Sequence, residues 1–153
     1  MFRYFFDTSA ITKFYHHEAG SPRVAHIILN LASEVRISSL AILELQSAFA
    51  MKVRTGALDE IGADEAMGKV FQDVSSSRIV PSRMTQSHLD LAQLLVAKHG
   101  YKKRLRSLDA IQLAVALDLR ALGKLDVFVA ADKALVEVAD LEGLTVENPE
   151  VQP

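Results

Sequence analysis

Five short apolar runs recur along the chain, separated by longer stretches in which apolar residues fall at helical spacing. Phe2–Phe6, Val35–Ser38, Arg78–Pro81, Asp126–Ala130 and Leu144–Glu147 have the length, flanks and β-branched content of strands. Ser21-Pro22 reads as a cap followed by proline at the first helical position, opening a helix to about Ala32. Leu40–Arg54 is apolar at helical spacing and ends at Gly56; Asp59–Ser76 is a second, polar-faced helix. Thr85–His99 stops at Gly100, Ser107–Leu122 at Gly123, and Lys133–Leu141 at Gly143. Strands alternating with helices predict an α/β layer fold with a mostly parallel sheet. In such folds ligands bind beyond the carboxyl ends of the strands. Asp7 and Asp132 both lie just after a strand.

The 153 residues suit one domain spanning 1–153, and half of them are hydrophobic, enough for a sizeable core. No cysteine is present, so there is no disulfide framework, thiolate metal site or thiol nucleophile, which agrees with a reducing cytoplasm. MFRYFFDTSA carries only a short apolar run broken by Arg3, neither a signal peptide nor a membrane span. A cytoplasmic protein without membrane contact is expected. The formal net charge of −2 means that any basic footprint for nucleic acid must be local.

Four carboxylates stand out. Asp7 ends the aromatic run FRYFF, where it serves either as a helix N-cap or as a functional acid at a strand tip. Glu44 interrupts the apolar stripe SLAILELQSAFAM; an unpaired buried carboxylate is costly, so it needs a cation, a cleft or an escape to water. Asp109, in RSLDAIQLAVAL, lies two residues past Ser107, an N-cap candidate, and also suits the positive end of a helix. Asp132 follows VFVAA and is again a cap candidate. If all four converge, they raise one another's pKa or recruit cations. Oxygen ligands without His or Cys select Mg²⁺ or Mn²⁺.

DTSA after the first strand, Glu44 in ISSLAILEL, Asp109 in LRSLDAIQLAVAL and the closing VAADKALVEVADLEGLTVENPE together resemble the PIN domain, in its VapC-type toxin form. The resemblance spans Phe5 to Pro149. It implies a three-layer α/β fold with a central, mostly parallel sheet of about five strands flanked by helices. It also implies an Mg²⁺- or Mn²⁺-dependent endoribonuclease, with Asp7, Glu44, Asp109 and Asp132 as catalytic and metal-binding acids and Thr8 and Ser9 in support. A homodimer and a cognate antitoxin protein are implied as well. One departure is Ala130, where the family commonly has Thr or Ser two residues before the last acid; a hydroxyl contact is expected to be missing there.

Lys102, Lys103, Arg104 and Arg106 precede Asp109 and are candidates for RNA phosphate contacts, or else a solvated turn. The five histidines show no ligand spacing, and His16-His17 suits a helix end. Phe2, Tyr4, Phe5 and Phe6 read as core. Ile61, Ala66, Val70 and Val74 form the apolar side of the polar-faced helix, and Phe14, Ile27, Ile28 and Leu29 could supply dimer contacts. Two other readings stand beside the nuclease. One is a non-catalytic PIN-fold module that binds a partner. The other is a phosphatase acting through Asp7, which lacks the second Asp two residues on.

Overall fold

β1 (Phe2–Phe6) is the central strand of a five-stranded sheet, and its side chains show why. Phe5 and Phe6 point to opposite faces and are both fully buried, as a strand covered on two sides requires. In this computed structural model, which describes residues 1–151, the strands run in the order β3-β2-β1-β4-β5 and every pair is parallel. The others are β2 (Ser33–Ser38), β3 (Val80–Ser82), β4 (Val127–Val129) and β5 (Val146–Glu147). Seven helices connect them: α1 (Thr8–Tyr15), α2 (Ser21–Leu29), α3 (Ser39–Arg54), α4 (Glu60–Ser75), α5 (Gln86–His99), α6 (Ser107–Ala121) and α7 (Lys133–Leu141).

Two cores make the three layers. Phe6, Val35, Ile37 and Val129 pack on one face against α1, α2, α3 and α4. Phe5, Phe128 and Ala130 pack on the other against α5, α6 and α7. The chain builds outward from β1 to β2 and β3, then returns to place β4 and β5 on the other side of β1. The order therefore reverses between β1 and β4, where a parallel sheet leaves a crevice at its carboxyl edge. The Asp7 amide donates to the Val129 carbonyl at 2.9 Å, closing the two strand ends together. At the opposite edge Arg3 grips Asp126 through both Nε (2.9 Å) and Nη2 (2.6 Å). That grip holds the Asp126 carboxyl down at about 2.

The structure moves several boundaries. Ser21 is not the cap of α2: Gly20 occupies that position, while the Ser21 hydroxyl donates to the Lys13 carbonyl at 2.7 Å. The helix stops at Leu29 because Asn30 starts a turn, its side chain accepting from the Ala32 amide at 2.9 Å, and β2 begins at Ser33. Arg106, not Ser107, caps α6. β3 starts at Val80, because Ser77 adopts φ 58° and Arg78 turns back to Asp73 at 3.0 Å. Phe2 is 62% exposed rather than core, since it precedes the covered part of the sheet. Ile61 likewise faces out of α4, whereas Ala66 and Val70 are buried. Ile27 and Ile28 are buried within this chain, so of the suggested dimer contacts only Leu29 is well exposed. Among the described residues no helix is long and apolar enough to cross a membrane.

Gly20 holds a left-handed φ of 86°, and a Cβ there would stand 2.9 Å from the Pro149 carbonyl oxygen. Gly20→Ala should therefore cost about 1–3 kcal/mol of stability. Urea unfolding measures it; an unchanged midpoint would show that the 149–150 segment shifts freely.

Candidate active site

Two strand–helix junctions and two helices deliver the acids. Asp7 ends β1 and caps α1, its Oδ2 accepting from the Ser9 amide (3.0 Å) and the Ser9 hydroxyl (2.6 Å). Glu44 projects from α3 one residue before Leu45, which is fully buried and anchors that helix to the sheet. Asp109 lies in the first turn of α6, where the helix dipole favours a negative charge. These three line one open cleft of about 690 Å³ with Thr8, Ser9, Arg54 and Arg106. Leu40, Leu43, Met51 and Leu108 give it an apolar stretch of wall, with Thr12 and Ser47 among them. Asp132 caps α7, accepting from the Leu135 amide at 3.0 Å. It does not line the cleft, but its Oδ2 lies 3.8 Å from Arg106 Nη2. A second depression, between α5 and α6, is lined by no ionisable side chain.

The cap role and the site role thus coincide at Asp7. Capping leaves this carboxylate 4% exposed, beside Asp109, which is 6% exposed. Burial pushes the Asp7 carboxyl up to about 6, and the charges of Asp109 and Glu44 add to the rise, while the two Ser9 hydrogen bonds oppose it. Burial also raises the Glu44 carboxyl, against the hydrogen bonds of Gln112 and Thr8 and the charge of Arg106. Among the described residues no three acids or imidazoles stand grouped at the spacing of one ion's ligands. The cation that Asp109 holds is Arg106, whose Nε donates to Oδ2 at 2.9 Å.

Gln112 is a site residue that the sequence pattern did not single out. It is fully buried, and its Nε2 donates both to Thr8 Oγ1 (2.9 Å) and to Glu44 Oε1 (2.8 Å), tying α1 to α3. A signal existed: a polar amide three residues after Asp109, on the same helix face of an otherwise apolar run. Arg54 and the apolar wall were missed as well, because their approach to the acids is tertiary. Ser9 supplies a hydroxyl close to Ala130. Its oxygen accepts from the Ala131 amide at 3.0 Å while donating to Asp7, so it links the ends of β1 and β4. In the basic cluster, Lys103 is paired with Glu137 at 2.7 Å, Lys102 and Arg104 are exposed, and Arg106 alone lines the cleft.

A family model for the PIN domain matches residues 4–141. The chain belongs to the PIN-domain family. Members of that family are in general nucleases dependent on divalent metals. Solved structures share the fold. Mycobacterium tuberculosis VapC20, described as a sarcin-ricin loop cleaving toxin, superposes with a TM-score of 0.67 at 18% identity, covering 98% of this chain and 99% of that one. VapBC2 from Rickettsia felis, bound to a DNA fragment of its promoter, gives 0.64 at 15% identity over 95% and 98% of the two chains. PAE2754 from Pyrobaculum aerophilum gives 0.62 at 22% identity over 95% and 89%. Among curated proteins none matches by sequence.

In this PIN domain the raised Asp7 pKa has a sign. Between about pH 4 and 6 the folded state keeps a proton that the unfolded chain releases. The stability this gives is full below about pH 4 and is lost as pH rises through about 6. Asn keeps the cap acceptor without the charge. In EDTA, Asp7→Asn should be more stable than wild type at pH 7.5, by on the order of 1–3 kcal/mol, with the gain fading toward pH 4. Denaturant titrations at the two pH values test this; a large loss at pH 7.5 would mean that the charge itself supports the fold.

Proposed function

We propose that this PIN domain is an endoribonuclease dependent on Mg²⁺ or Mn²⁺, and the toxin of a type II toxin–antitoxin pair. It acts on RNA in the cytoplasm as a homodimer and is restrained by a cognate antitoxin. The observation that carries this reading is the convergence of Asp7, Glu44 and Asp109 in one cleft beyond the carboxyl end of β1, between α3 and α6. The description of VapC20 as a sarcin-ricin loop cleaving toxin and the promoter-bound VapBC2 complex supply the analogy for substrate and partner.

The donor set fits a hard divalent cation: all donors are carboxylate oxygens, and two of the three acids are buried together. Asp7, Glu44 and Asp109 would hold it, with Asp132 at the margin. Such an ion polarises a phosphoryl oxygen and lowers the pKa of a bound water. The chain's own groups do the rest. Ser9 holds Asp7 Oδ2, and Gln112 with Thr8 holds Glu44, so the acids keep their orientation. Arg106 and Arg54 present positive charge to a phosphate in the cleft, and Leu43, Met51 and Leu108 screen one side from water. No histidine lines the cleft; His88 pairs with Asp118 and His99 with Glu142. Attack by the neighbouring 2′-hydroxyl, which calls for a positioned acid–base pair, has no support there. Hydrolysis leaving a 5′-phosphate and a 3′-hydroxyl does.

The partner-binding alternative is less well supported. An acid kept for stability alone is poorly placed where burial and like charge raise its pKa. A phospho-aspartate at Asp7 fits no better, since the residue two positions on is Ser9 and not a second Asp.

Purified protein with Mn²⁺ should cut a labelled oligoribonucleotide to 5′-phosphate products, stop in EDTA, and lose ~100-fold or more in Asp7→Asn, beyond the ~10–100-fold typical of outer-shell partners. End-group analysis decides. A 2′,3′-cyclic phosphate, or cutting that survives in Asp7→Asn, defeats the mechanism. Replacing Lys102 and Arg104 by Ala should lower the log–log salt slope of RNA binding by about 0.7 for each phosphate no longer neutralised. An unchanged slope in filter binding assigns these two residues to the solvated surface.

A further inference from the structure

Arg106 is the one cation in the cleft that bonds an acid of the cluster. As the N-cap residue of α6 its backbone is fixed, its carbonyl accepting from the Ala110 amide at 2.9 Å. The side chain folds forward one turn to bond Asp109 at 2.9 Å and faces Asp132 at 3.8 Å. Its side chain is 59% exposed, whereas the Asp109 side chain is 9% exposed. The guanidinium therefore covers a buried carboxylate from the solvent side, and of the two it is the group free to leave. A carboxylate oxygen engaged in a charge-assisted hydrogen bond is not a free ligand oxygen. Arginine does not deprotonate, so the guanidinium keeps its charge whether or not it is bound to Asp109.

We propose that Arg106 is an internal counter-ion that competes with the divalent cation for Asp109. It steadies the acids before metal arrives, lowers metal affinity, and on displacement turns its fork to the substrate phosphate. This rests on the metal-dependent reading above. Two equilibria share one oxygen, so by linkage the hold of Arg106 on Asp109 is subtracted from metal binding.

Arg54 supplies the control. It lines the same cleft and carries the same charge, but has no ion-pair partner among the described residues. Calorimetric titration of metal-free protein with MnCl₂ should show Arg106→Gln binding about tenfold tighter than wild type, the scale of one partly screened charge-assisted hydrogen bond. Arg54→Gln should gain less than about twofold, as a general field effect in salt. In cleavage assays Arg106→Gln should need less Mn²⁺ for half-maximal rate while its KM for the oligonucleotide rises. Equal or weaker Mn²⁺ binding in Arg106→Gln, or the same gain in Arg54→Gln, overturns the competition. An unchanged KM overturns the transfer to phosphate. Absence of Mn²⁺ binding in all three proteins overturns the metal-dependent reading itself, and the proposal with it.

Discussion

Carboxylates of like charge, withdrawn from water into one cleft, repel one another, and much of this molecule is arranged to hold them there. Asp7 and Asp109 are almost entirely covered, and Glu44 is half-buried between them and solvent. Each has a compensating contact: Ser9 for Asp7, Gln112 for Glu44, Arg106 for Asp109. None of these contacts fully offsets the burial at Asp7, whose carboxyl still rises to about 6. A site left in that condition is poised for a cation, because a positive ion relieves several repulsions at once.

The sheet makes this crowding possible. β1 is covered on both faces and paired on both edges, so its carboxyl end is among the least movable points in the fold. The reversal of strand order beside it opens a crevice there. The Asp7 amide bonded to Val129, and Ser9 bonded to Ala131, keep the two sides of that crevice in register. Arg3 and Asp126 secure the same pair of strands from the opposite edge.

A helix cap and a cleft-lining acid are usually weighed as rival placements, but Asp7 is both. At Asp7 and Asp132 the side chain accepts from the following helix through one oxygen, Oδ2 of Asp7 from both the amide and the hydroxyl of Ser9 and Oδ1 of Asp132 from the Leu135 amide, which leaves the other oxygen less committed. Capping fixes the side-chain rotamer, and a fixed rotamer is what a site needs if it is to act without reorganising. The same economy places Arg106 at the cap of α6, one turn from Asp109.

Local pattern was enough for much of this. Period-two and period-3.6 runs placed five strands and the longer helices, and glycine and proline marked most of their ends, because those signals act over a few residues. The four acids were legible because charge stands out in an apolar run. Some boundaries were not: Gly20 packs against the distant 149–150 backbone, and β3 begins only after a local turn in which Ser77 takes a positive φ and Arg78 pairs with Asp73. The roles of Gln112 and Arg54 were likewise hidden, since a polar side chain discloses such neighbours only after helices distant in sequence are packed together. Sequence alone determined which residues were chemically unusual and which elements carried them. Tertiary structure alone decided that three acids share a cleft, that Asp132 stands at its edge, and that an arginine holds the place beside Asp109. Distance and burial set those energies, and neither exists until the chain has folded.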